Sequence, residues 1–114
     1  MNELDKLRKM LEEEGIPFIS KQALWAEGVI PLPLSTKYGK NGEWKRNQVI
    51  YTRGGKAEDK LIDGVCQYGS LGARGGYIET YGRLGANEEG EPQVMTAQQV
   101  FDIIKKDWEE NGHN

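Results

Sequence analysis

The hydrophobic period changes twice along the chain, and this switch constrains the fold more than any single residue does. At both ends apolar residues recur at steps of three and four, the spacing of one helix face; between them the step is two, the spacing of one sheet face. Near the start, Leu4, Leu7, Met10 and Leu11 form one stripe. Asn2 is a capping residue ahead of it, and Asp5 suits the positive end of the helix. Gly15 followed by Pro17 is a stop: glycine takes the left-handed geometry beyond a helix end, and proline cannot continue the ladder. The spacing therefore predicts a helix over about 3–14. The Glu12-Glu13-Glu14 run sits at its negative end and is expected to face solvent or a basic partner.

The last element carries the fuller signature. Thr96 and Gln99 have the spacing of a capping box, and Met95 with Val100 that of a hydrophobic staple. Val100, Phe101, Ile104 and Trp108 then form a stripe with Ile103 beside it, ahead of Gly112 as a terminator. A helix over about 97–111 is expected.

Three strands are expected in the middle. Gln48–Thr52 is rich in β-branched and aromatic residues. Leu61–Tyr68 alternates Ile62, Cys66 and Tyr68 against Leu61 and Val65. Tyr77–Tyr81 alternates Ile78 and Thr80 against Tyr77, Glu79 and Tyr81, and this second set becomes a binding or dimer surface if nothing covers it. Short glycine-bearing links (Gly54-Gly55, and Gly69 to Gly76) favour antiparallel neighbours. Residues 20–47 are irregular: Pro31 and Pro33 remove amide donors, and Lys40-Asn41-Gly42 is a turn that would project a hairpin. The expected fold is α+β, with an N-terminal helix, an antiparallel sheet of about 3–5 strands over residues 17–82 and a C-terminal helix packed on it. At 114 residues this is one domain over 1–114. So small a one-layer arrangement leaves sheet surface to cover, and a homo-oligomer is expected.

No apolar run approaches the ~18 residues of a membrane span, and the N-terminus lacks a secretory apolar core. Cys66 is the one cysteine, which excludes an internal disulfide and fits a reducing cytoplasm. The one histidine, His113, lies beside the C-terminus, so neither a metal cluster nor a Ser-His or Cys-His pair can be assembled within a protomer. Cys66 within a strand reads as a small buried hydrophobe. Asp63 and Glu79, on neighbouring strands, are the remaining acid/base pair, or equally two surface acids facing Arg74 or Arg83. No catalytic residue, metal or cofactor is assigned, and the chain reads as a non-enzyme.

Charge is distributed unevenly although the net is −3. Residues 37–60 carry seven cations and three acids, a net +4, with Tyr38, Trp44 and Tyr51 interleaved. Residues 87–114 carry two cations and seven acids, a net −5. Cations beside flat rings can hold phosphate while stacking on a base, and lysines on an edge hairpin equally serve to block aggregation. The stretch from Gly69 to Gly76 can bring bare amides to an anion, with Arg74 adding a fork of donors, or can be a turn needing permissive backbone. The candidate ligand-binding set is Arg74, Gly72, Gly75, Tyr68, Trp44, Lys45, Arg46 and Arg53. Trp25 and Trp44 lie where an aromatic has little structural role and are candidate anchors.

Several phrases together carry a resemblance. Leu11-Glu12-Glu13-Glu14-Gly15-Ile16-Pro17-Phe18, Asp63-Gly64-Val65-Cys66-Gln67-Tyr68-Gly69-Ser70, Gly76-Tyr77-Ile78-Glu79 and Met95-Thr96-Ala97 are similar to small proteins of phages and prophages of gut Firmicutes. Those open with a helix ending in Gly-Ile-Pro, then carry a Cys-x-Tyr/Phe-Gly-Ser strand end and a Leu/Met-Thr-Ala helix start. The resemblance leaves out residues 20–47 and brings no catalytic residue with it. It implies an accessory protein of a mobile element that binds a host defence protein, a cyclic or phosphorylated nucleotide signal, or replication machinery. The expected function is antagonism of a host defence. The acidic residues Glu88, Glu89, Glu91, Asp102, Asp107, Glu109 and Glu110 would meet a basic channel, or the arginine and glycine set would sequester the signal. The alternative is a nucleic-acid-binding accessory protein of phage replication or transcription, supported by the basic hairpin and opposed by the acidic pI.

Overall fold

The computed structural model of the chain describes residues 3–21, 48–53, 60–66 and 75–112. The expected hairpin within 20–47, the Asn41-Gly42 turn and the glycine stretch from Gly69 to Arg74 lie outside the described residues. So do Asn2, Trp25 and His113.

Helix α1 spans Glu3–Glu14 and strand β1 Ile19–Lys21. Strands β2 (Gln48–Tyr51), β3 (Ile62–Val65), β4 (Ile78–Tyr81) and β5 (Gln93–Met95) follow. Helix α2 spans Ala97–Asp107 and passes into a π-helical turn, Trp108–Gly112. The strands form one antiparallel sheet in sequence order, β1 to β5. The expected α+β arrangement is thus the observed one.

Both helix ends follow from the residues read above. Gly15 adopts φ +69°; its amide bonds to the Glu12 carbonyl and that of Ile16 to the Leu11 carbonyl. This is the Schellman pattern, and Ile16 and Leu11 both enter the core, as its hydrophobic contact requires. At α2 the Thr96 hydroxyl accepts from the Gln99 amide at 3.2 Å, while the Gln99 side chain accepts from the Thr96 amide at 2.9 Å. The capping box is complete.

Leu4, Leu7 and Leu11 of α1 and Val100, Phe101 and Ile104 of α2 are buried against Val49, Tyr51, Ile62, Cys66, Ile78 and Met95. By strand alternation these sheet residues share one face, so both helices cover the same side. Trp108 and Ile103 pack partly buried against this core. Gly64 in β3 permits the close approach: a Cβ there would stand 2.9 Å from Ile78 Cγ2 and 3.6 Å from Leu4 Cδ1.

The two helices run parallel, start beside start. A Glu3 carboxylate oxygen accepts from the Ala97 amide at 2.8 Å, joining the first turns. At the other end Lys105 reaches Glu14 at 3.7 Å. The bond from Lys6 and then that from the Ala97 amide hold the Glu3 carboxyl below its ordinary range. A carboxylate between two helix N-termini and a lysine between two C-termini offset parallel dipoles. The acidic run at the end of α1 therefore has one internal partner, with Glu12 and Glu13 exposed.

Some expectations shift. Leu61, expected beside Val65, precedes β3 and joins the helix-side core, its amide bonded to the Tyr51 carbonyl at 3.0 Å. The α-helix expected to reach 111 ends at Asp107, where the backbone changes to π geometry. Strand β5 was not anticipated: three residues after a proline give too short a pattern to register.

Candidate binding face

Asp107 is the polar centre of the helix side. It lies seven residues after Val100 and three after Ile104, on the apolar stripe of α2, and its side chain is 7% exposed. Its Oδ2 accepts from the Tyr51 hydroxyl at 2.7 Å and from Arg53 Nε at 2.9 Å. Arg53 Nη2 meets the other oxygen, which also accepts from Asn111 at 3.3 Å. The Arg53 bonds above all hold the Asp107 carboxyl below its usual range, while burial followed by the Asp107 bond pushes the Tyr51 phenol well up. This network engages two of the residues singled out in the sequence. Asp107 is not among the acids offered to a partner, because a carboxylate on a helix's core face is held by groups within the chain. Arg53, expected to supply charge to an anion, is joined to Asp107 by a two-pronged pair.

Of the remaining candidate ligand-binding residues, Trp44, Lys45, Arg46, Tyr68, Gly72 and Arg74 lie outside the described residues. Gly75 is exposed just before β4. A Cβ there would stand 2.8 Å from Cδ2 and Cε2 of Tyr77, so the ring lies over its backbone.

The opposite face of the sheet divides into two halves. On β2 and β3, Gln48, Ile50 and Val65 are buried. Tyr81 of β4 (38% exposed), Val94 of β5 (47%) and Tyr77, one residue before β4 (43%), are open to solvent. The register sets Val94 opposite Glu79 and Tyr81 opposite Asp63. Glu79 and Tyr81 share one side of β4, with Tyr77 one residue ahead of the strand, and the Glu79 side chain is buried where the two rings are exposed. The Tyr81 hydroxyl donates to Glu79, and that bond first, then burial, pushes its phenol up to about 12.

Asp63 and Glu79 share this face one diagonal step apart rather than directly opposed. Asp63 accepts from Gln48 Nε2 at 2.6 Å and pairs with Lys60 at 3.3 Å, and Glu79 accepts from the Tyr81 hydroxyl; the expected partner Arg74 lies outside the described residues. Cys66 is buried, and burial pushes its thiol up to about 11, which removes thiolate character at neutral pH. Among the described residues, no group of three or more His, Cys, Asp or Glu side chains is placed to hold a metal. No described helix is long and apolar enough to cross a membrane.

A depression of about 210 Å³ lies at the β1 end, lined by Pro17, Phe18, Ile19, Ile50 and Thr52. None of these side chains is charged, so it offers no grip on a phosphate.

The β4–β5 connection is fixed from within. The Asn87 side chain accepts from the amides of Glu89 (3.0 Å) and Glu91 (2.9 Å), and its own amide bonds to the Glu91 carbonyl at 2.8 Å. Glu88, Glu89 and Glu91 are exposed on this ordered loop. Comparison with protein-family models, curated proteins and solved structures gives no match, and the face is read from its own chemistry.

Proposed function

We propose that this chain is a non-enzymatic binding protein that occupies a partner protein with the β4–β5 half of its outer sheet face. In the setting that the resemblance to phage proteins implies, the partner is a host defence protein and the consequence is inhibition. The observation that carries this reading is the exposure of Tyr77, Tyr81 and Val94, three large side chains open to solvent at β4 and β5. Tyrosine combines a large apolar area with a polar tip and little rotamer entropy, the composition of protein interface anchors. The engagement of Arg53 by Asp107 and of Lys60 by Asp63 favours this reading over sequestration of an anionic signal, since both cations already have carboxylates.

The test is phage plating on hosts that carry a panel of defence systems and express the chain. The wild-type chain is expected to restore plating on at least one host. The Tyr77→Ala/Tyr81→Ala variant loses about 2 kcal/mol per anchor, roughly 30-fold each in partner affinity, and with it the rescue. Circular dichroism of that variant stays native, because both side chains stand outside the core. Full rescue by the folded double variant contradicts the reading.

A further inference from the structure

Two asparagines in the chain stand directly before a glycine. Asn41 lies outside the described residues, and Asn111 sits where the π-helical turn ends at Gly112. We propose that Asn111 is a site of spontaneous deamidation, and that its product weakens the Asp107 network it adjoins. The Gly112 backbone nitrogen attacks the Asn111 side-chain carbonyl carbon. A C–N bond forms, the bond to Nδ2 breaks, and ammonia leaves carrying the proton of the attacking N–H. Water then opens the cyclic imide to aspartate, or to isoaspartate when the backbone carbonyl is the one attacked. The reaction consumes only water. Glycine favours it because no side chain crowds the attacking nitrogen.

A regular helix suppresses this chemistry, since its ladder holds each amide nitrogen away from the preceding side chain. Here the ladder changes to π geometry at Trp108 and stops at Gly112, and helix ends fray. Asn111 is exposed, and its bond to Asp107 Oδ1, at 3.3 Å, is longer than most N–H···O bonds. Asn87 is the contrast within the chain. Two backbone amides hold its side-chain oxygen at 3.0 and 2.9 Å, and the residue after it is Glu88.

The consequence of conversion follows from position. Asn111 stands four residues after Asp107, which makes the two side chains neighbours on one helix face. A carboxamide there donates to Asp107. A carboxylate has no proton to give, and it sets a like charge beside a buried group that already serves Tyr51 and Arg53. It also adds negative charge at the negative end of the helix, where Glu109 and Glu110 already stand.

The experiment is prolonged incubation of the full chain in warm, mildly alkaline buffer, followed by peptide mass mapping and a thermal melt. A parallel sample is held unfolded in urea. In the folded chain Asn111 is expected to convert while Asn87 stays an amide. The aged protein then carries one further negative charge and melts about 3 °C lower, the scale of a like-charge pair at this spacing together with a lost hydrogen bond. Gly112→Ala crowds the attacking nitrogen and is expected to slow conversion several-fold. Freshly made Asn111→Asp should match the aged protein in Tm, and Asn111→Ala, which loses the bond without adding charge, should fall less. An Asn111 that stays an amide in the folded chain while the urea sample converts overturns the site. An Asn111→Asp chain that melts with the wild type overturns the effect on the Asp107 network.

Discussion

Asp107→Ala is expected to lower stability by about 2–3 kcal/mol, a drop of roughly 10 °C in Tm for a domain of this size. The loss comes chiefly from Tyr51, whose buried hydroxyl is left without its acceptor. The Arg53 side chain is 43% exposed and returns to water when unpaired. Arg53→Ala still takes from the buried Asp107 carboxylate the bonds that chiefly hold it ionised, so it too lowers Tm, by less than Asp107→Ala. Adding Tyr51→Phe to Asp107→Ala removes the stranded group and recovers part of the loss. The pH dependence follows from the direction of each shift. Asp107 has a lowered native pKa, so its contribution is present above about 4, the ordinary carboxylate value, and disappears as pH falls through the lower native value. Wild type and Asp107→Ala should therefore converge in acid. Tyr51 has a raised pKa, so its contribution is present below about 10 and is lost as pH climbs beyond that. Thermal melts of the four variants from about pH 2 to about pH 12 check both limbs, and a constant gap across the acid range refutes this account of the network.

Gly82→Ala should cost more still, about 3–4 kcal/mol, from a substitution that adds one methyl group. Gly82 sits at φ +98°, where a side chain is strained, and a Cβ would stand 2.5 Å from the Leu61 carbonyl oxygen and 2.8 Å from its carbon. Those neighbours are backbone and cannot rotate aside. The same Leu61 oxygen accepts the Leu84 amide at 2.9 Å, so any shift that relieves the clash disturbs the turn following β4. Gly90→Ala is the matched control. It too has a positive φ, +81°, but open space around it, so it meets only the left-handed backbone penalty of about 1 kcal/mol. Chemical denaturation of the two variants separates close approach from backbone strain, and equal losses would refute the distinction.

Much of this fold was legible because its signals are local. The stripe of α1, the Gly15 stop and the Thr96–Gln99 box each lie within one or two turns of chain, and each formed as read. The alternation of Glu79 and Tyr81 against Ile78 and Thr80 also separated the two sides of β4, since a period of two fixes sidedness once one side is core. The missed features join distant residues. Glu3 capping Ala97, and Tyr51 and Arg53 meeting Asp107, span 94, 56 and 54 positions, and no window of sequence contains such a pair. One trace was present: Asp107 continues the Val100–Ile104 stripe, and a carboxylate on an apolar stripe requires a partner. Counting it with the exposed acids overlooked the spacing. The end of α2 was misjudged for the same reason, as its apolar period runs on to Trp108 while the geometry changes at Asp107.

The most direct measurement for the outer face is tyrosine nitration of the native chain, read residue by residue by mass spectrometry. It is made on the free protein and again on the complex captured from a host in which the chain restores phage plating. In the free chain Tyr77 should react readily and Tyr81 more slowly, because Glu79 holds its phenol up to about 12; Tyr51, buried on Asp107, should not react. In the complex Tyr77 and Tyr81 should both be protected. Modification of Tyr77 at the same rate in the free and captured protein would contradict a binding face on β4 and β5.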